Sequence, residues 1–217
     1  RQLRTEYSPP PARPTPAAGR RRKALVVGDP DGSLIGAREE AEIVAEKLER
    51  DFEVTRLMGP ARSSGRRPLH GAFASRIKVL NELSKYDYDI LHFAGHGDFD
   101  AEDPTRAGWV FSDGLLTAGE LAALRSVPRL VFANACLSGR VSAVASGGTS
   151  VIDRRRDSDL LPSLADEFFR RGVHNYVGTA WEVDDLGAVS FAMQFYEHLL
   201  GGRCIGDAML TGRRALA

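Results

Sequence analysis

Cysteine is scarce in this 217-residue chain, which holds only Cys136 and Cys204. Without a CxxC pair or a Cys/His ligand cluster, no zinc site is expected, and nothing in the sequence asks for a metal or any other cofactor. So few thiols, with no export-signal pattern at the start, point to a reducing, cytoplasmic setting. No apolar run approaches the roughly 18 residues that span a bilayer, so no membrane association is expected. An excess of basic charge is missing too. Lys+Arg and Asp+Glu number 29 each, but residues 1–23 hold seven basic side chains against Glu6 alone, which leaves the remainder acidic. That excludes a domain-wide footprint for nucleic acid. The short basic segment lacks interleaved aromatics and reads as a solvated linker rather than a binding arm.

What is present is ordinary globular composition, 43% hydrophobic and 27% charged, in a chain long enough to bury one sizeable core. Residues 1–22 contain SPPPARPTP and show no apolar periodicity, as a flexible or polyproline-like linker would. The domain is expected over 23–217. The chain opens on Arg1 and stops in an apparent helix, Leu210–Ala217, and is expected to be cut from something longer.

From Lys23 onward, apolar runs alternate with helical periodicity. Ala24–Gly28 reads as a strand buried on both faces. The spacing predicts a helix over Ala37–Arg50, a strand over Phe52–Leu57, a loop over 59–72 and a helix over Phe73–Ser84. Strands follow at Asp89–Ala94 and Arg129–Ala135. Between them lies a small hairpin, Trp109–Phe111 with Gly114–Leu116. Thr117 and Glu120 have the capping-box spacing that opens a helix. A long loop at about 138–159 precedes a helix over Leu160–Arg171, which Gly172 would stop. A strand at Asn175–Ala180 leads to a helix capped by Asp184 or Asp185 and running to about Leu200. This order implies an α/β fold, a mostly parallel sheet sandwiched between helices.

In such sheets function collects outside the carboxyl ends of the strands. Two reactive side chains fall there: His96, inside Gly95-His96-Gly97, and Cys136, inside Asn134-Ala135-Cys136. If their strands are neighbours, the tips lie about 5 Å apart. An imidazole beside a thiol can take its proton, hold it as an ion pair, and later protonate a leaving amine. The N–H groups of Gly97 and Cys136 are then placed to face the oxyanion of a tetrahedral intermediate. Cys204 reads as a core or surface thiol, His70 and His198 as loop and helix-face residues, His174 as a turn residue. His92 lies within its strand, pointing into the core or away from the site. The first strand's loop, Gly28-Asp29-Pro30-Asp31-Gly32, fits neither a P-loop nor a GxGxxG fingerprint, and its acids would repel phosphate, which weighs against a flavodoxin-like nucleotide binder.

Five segments in order, Leu91–Gly97, Asp113-Gly114 with Leu116–Ala118, Asn134–Gly139, Gly178–Asp185 and Phe195-Tyr196, resemble the CHAT domain, a family similar to caspases and separases and widespread in bacteria. The resemblance covers about residues 23–217. It implies a caspase-hemoglobinase fold with a dyad in which His96 is the general base and Cys136 the nucleophile, and oxyanion donors on Gly97 and Cys136. It implies a protein substrate, a regulatory domain or sensor partner, and a place in bacterial defence or cell-death pathways. Three features depart from caspases. Asn134 stands where they have Gln; His96 and Cys136 are 40 apart rather than roughly 50; and the loop at 140–159 carries Arg154-Arg155-Arg156-Asp157. A catalytically silent interaction module is the competing expectation. The long loop is expected to order on activation or substrate binding. Trp181 is expected to wall a P1 pocket, with Glu182, Asp184 and Asp98 facing a cation. A desolvated carboxylate favours Arg over Lys there.

Overall fold

The computed structural model describes residues 20–60, 72–98, 108–121, 123–124, 126–137, 161–179 and 184–216. The expected linker (largely residues 1–19), the 138–159 loop, His70, Trp181 and Glu182 lie outside these residues.

Among the described residues, eight strands form one sheet: β1 (Lys23–Gly28), β2 (Glu53–Met58), β3 (Ala72–Phe73), β4 (Ile90–Asp98), β5 (Gly108–Phe111), β6 (Gly114–Thr117), β7 (Leu130–Leu137) and β8 (Asn175–Gly178). β3, β2, β1, β4, β7 and β8 pair in parallel in that order. The β5–β6 hairpin joins antiparallel at the far end of β4, through Gly97 and Asp98. Gly97 thus pairs with Trp109 of the hairpin and with Leu137 of β7.

The helices are α1 (Ile35–Leu48), α2 (Arg76–Lys85), α3 (Ala118–Leu121), α4 (Leu161–Arg170), α5 (Asp185–Leu200) and α6 (Ile205–Arg214). Both sheet faces are covered. Strand alternation sends Val26, Ile90, Leu130 and Phe132 to one side, where Val44, Phe195, Tyr196 and Ala208 of α1, α5 and α6 bury them. It sends Leu25, Leu91, Phe93 and Val131 to the other, against Val79, Leu83 and Phe168 of α2 and α4. Both faces are mostly apolar, which is why β1 reads as an unbroken hydrophobic run.

Local signals behave as their chemistry requires. Glu120 accepts from Thr117 N at 3.1 Å and Thr117 Oγ1 accepts from Glu120 N at 3.4 Å, the reciprocal capping box. Gly172 follows α4 with φ +93°, a value that favours glycine at a helix stop. Asp184 caps α5 by accepting from Gly187 N at 2.9 Å. The chief departure from expectation is at the strand ends. β4 runs on to Asp98 and β7 to Leu137, so His96 and Cys136 sit within paired strands rather than in the loops after them. Partners on both sides of Gly97 extend the ladder past the point where Gly-His-Gly alone suggests a turn. Among the described residues no helix is long and apolar enough to cross a membrane.

Candidate active site

His96 and Cys136 are register partners in the parallel β4–β7 ladder. Paired positions in parallel strands share a face, and neighbouring strands lie about 4.8 Å apart. The two positions the sequence marks are therefore adjacent, two rungs beyond Ala94↔Asn134. By the same alternation they fall on the face that α1 and α5 cover. Gly97 and Leu137 form the last rung, so the expected oxyanion donors, Gly97 and Cys136, occupy the outer end of the ladder.

His96 is partly buried and held from the β1–α1 loop. Its Nε2 lies 2.9 Å from Ser33 Oγ. Ser33 Oγ in turn donates to Asp31, 2.9 Å from Oδ1 and 2.8 Å from Oδ2. His96 Nδ1 is buried and has no hydrogen-bond partner among the described residues. The loop itself is fixed. Asp29 N donates to Ala94 O at 2.8 Å, and Gly32 N to Asp29 O at 3.0 Å. Asp29 Oδ1 accepts from Leu34 N at 2.8 Å. Arg38 reaches Asp29 Oδ2 at 3.4 Å and donates to Gly59 O at 2.7 Å. Asp29 has φ +45° and is 3% exposed. Burial raises its carboxyl above the usual carboxylate range, although the Leu34 N–H and Arg38 work against that shift. Gly95 lets the loop cross: a Cβ there would stand 2.9 Å from Pro30 Cδ and 3.0 Å from Phe93 Cζ.

Beneath the pair lies a buried polar cluster. Glu40 of α1, 1% exposed, accepts from Asn134 Nδ2 at 2.7 Å. Its other oxygen is 3.3 Å from His92 Nε2, a close contact without hydrogen-bond alignment. His92 Nδ1 meets Tyr196 Oη at 3.2 Å, and the imidazole stacks on Phe132. Desolvation, reinforced by the nearby Glu40 carboxylate, pushes the Tyr196 hydroxyl pKa well above its ordinary value. His92 thus points into the core, the first of the two directions open to it.

Ser33, Asp31 and Glu40 were not among the expected site residues. Glu40 does carry a signal: it sits four residues after Gly36 and four before Val44, on the apolar stripe of α1, where a carboxylate needs a buried partner. Ser33 and Asp31 lie at the carboxyl end of β1, beside the strand that bears His96, in the acidic loop that argued against a nucleotide. Of the expected pocket residues, Asp98 ends β4 and Asp184 is a helix cap.

A family model described as the CHAT domain matches residues 2–217. Direct comparison with curated proteins finds no match.

Proposed function

Because the chain belongs to the CHAT-domain family, a family related to caspase-like cysteine peptidases, we propose that it is a cysteine endopeptidase working through a His96–Cys136 dyad. The observation that carries this reading is the register pairing of His96 with Cys136 on adjacent strands. His96 Nδ1, buried and without a partner among the described residues, is a basic nitrogen on hand for the thiol. The Cys136 thiol gives its proton to His96, and the thiolate attacks the scissile carbonyl carbon. The oxyanion forms within reach of the Gly97 and Cys136 N–H groups. As the C–N bond breaks, His96 protonates the leaving amine. Water, deprotonated by His96, then hydrolyses the thioester and restores the thiol.

The substrate is a protein, and the P1 residue is basic, Arg over Lys, taken by Glu182 and Asp98 beside Trp181. Asp184 serves instead as the cap of α5, one of its oxygens accepting from Gly187 N. Regions outside the domain or a sensor partner regulate the activity, as suits bacterial defence or cell death.

The test is cleavage of a fluorogenic peptide series differing only at P1, with wild type, Cys136→Ala and His96→Ala. Each single variant should abolish cleavage while unfolding at the wild-type temperature, and the double variant should be little worse. Cleavage retained in Cys136→Ala would overturn the mechanism. Folded wild type that cleaves nothing and resists thiol-directed peptide probes would mark a silent interaction module. Arg at P1 cleaved no faster than Leu or Asp would remove the acidic pocket.

A further inference from the structure

The contacts of Ser33 settle more than the position of a ring. A serine hydroxyl has one proton to donate and lone pairs to accept with. Ser33 Oγ lies 2.9 and 2.8 Å from the two Asp31 oxygens and 2.9 Å from His96 Nε2. A carboxylate only accepts, so the hydroxyl proton belongs to Asp31. The oxygen is left as an acceptor toward the imidazole, and Nε2 must carry a proton to fill that bond. A neutral imidazole has one N–H, so Nδ1 is then the basic nitrogen. It is also buried, with no partner among the described residues.

We propose that Asp31 and Ser33 are positioning residues that hold His96 in the Nε2–H tautomer and thereby present Nδ1 to the Cys136 thiol. The relay rests on the dyad reading above. Ser33 fixes the ring's orientation and its tautomer together, and Asp31 sets the direction in which Ser33 donates. When Nδ1 takes the thiol proton, the imidazolium keeps its Nε2–H bond to Ser33, and the charge it gains faces the Asp31 carboxylate through one intervening hydroxyl. No proton leaves Nε2 at any stage. The loop that carries both residues is itself pinned to β4 by Asp29 N on Ala94 O and braced internally by Leu34 N on Asp29 Oδ1. The relay is therefore a fixed part of the scaffold, which is what orienting a catalytic base requires.

The experiment uses the full chain with Cys204→Ser, so that Cys136 is the one thiol, and two readouts that need no peptidase activity. The first is the imidazole ¹⁵N spectrum, with His96 assigned by its loss in His96→Gln. Wild type should show the Nε2–H tautomer, and Ser33→Ala a mixture of both. The second is the rate of Cys136 alkylation by iodoacetamide near neutral pH. It should fall roughly 10²-fold in His96→Ala, the usual scale of a general base. It should fall a few-fold in Ser33→Ala, less than in His96→Ala because part of the population keeps a free Nδ1, recover in Ser33→Thr, which keeps the hydroxyl, and fall in Asp31→Asn, whose amide can donate to Ser33 and reverse the relay. On a cleavable peptide, Ser33→Ala should lower kcat and leave KM in place. An Nδ1–H tautomer in wild type, or wild-type alkylation in Ser33→Ala and Asp31→Asn while His96→Ala is slow, overturns the relay and leaves the dyad standing. Wild-type alkylation in His96→Ala removes the dyad reading and the relay with it.

Discussion

Asn134 donates to Glu40 at 2.7 Å across the interface between β7 and α1, two residues before Cys136. The bond ties β7, the strand of Cys136, to the helix whose leading loop holds the imidazole of His96. Glu40 also stands beside His92, and both His92 and Asn134 are buried. Glu40→Ala leaves the Asn134 amide N–H without its acceptor. The expected loss is about 1–3 kcal/mol, the usual cost of an unsatisfied buried polar group. Glu40→Gln keeps an acceptor for Asn134 and should lose less. Guanidinium unfolding with an unchanged m-value is the measurement.

The left-handed residue Asp29 gives a prediction with a sign. Its folded-state pKa is raised by burial, so between its unfolded and folded values the native state binds more protons than the unfolded chain. This group's contribution is fully present below the unfolded value and is lost as pH rises through the folded one. Asn tolerates a positive φ, keeps an acceptor for Leu34 N, and does not ionise. Asp29→Asn should therefore be at least as stable as wild type at pH 7, with its relative advantage shrinking as pH falls toward 4. Asp29→Ala should be less stable, by about 1–2 kcal/mol for the left-handed backbone, with the lost Leu34 partner added. Thermal unfolding between pH 4 and 8 distinguishes the three.

Asp184 should behave as a helix cap. Asp184→Ala should cost about 1 kcal/mol of stability, and Asp184→Asn much less, because Asn caps nearly as well. The preference among P1 residues should stay the same in both, as read from kcat/KM on the fluorogenic series.

Gly95→Ala tests whether the β1–α1 loop must lie against β4. The added methyl would meet Pro30 and Phe93 at 2.9 and 3.0 Å. Because Pro30 is in the same loop as Ser33, the loop must shift. A stability loss of about 1–3 kcal/mol is expected from overpacking, together with slower alkylation of Cys136.

Much of this arrangement was legible in the residues. An unbroken apolar run marked β1, since both faces are covered. Thr117/Glu120, Gly172 and Asp184 marked helix boundaries through caps that depend on three or four neighbouring residues. What was hidden depends on contacts distant in sequence. Ser33 and His96 are 63 residues apart, Glu40 and Asn134 94 apart, and no local pattern joins either pair. The strand ends were read short because glycines around His96 suggest a turn until Gly97 is seen to have partners on both sides. The two-residue β3 pairs with Leu57 and Met58, a distant contact, so the sequence alone divided it between the 59–72 loop and the helix expected from Phe73.

The eight-rung match of Ile90–Gly97 with Leu130–Leu137 separates distance along the chain from distance in space. Whatever lies between the two strands, the imidazole and thiol positions are brought level by hydrogen-bond registration, not by the length of the connection. A change in the length of that connection is therefore expected to leave the two positions level, because the ladder on either side of them stays in register. The 40-residue interval in the sequence does not by itself set how close they come.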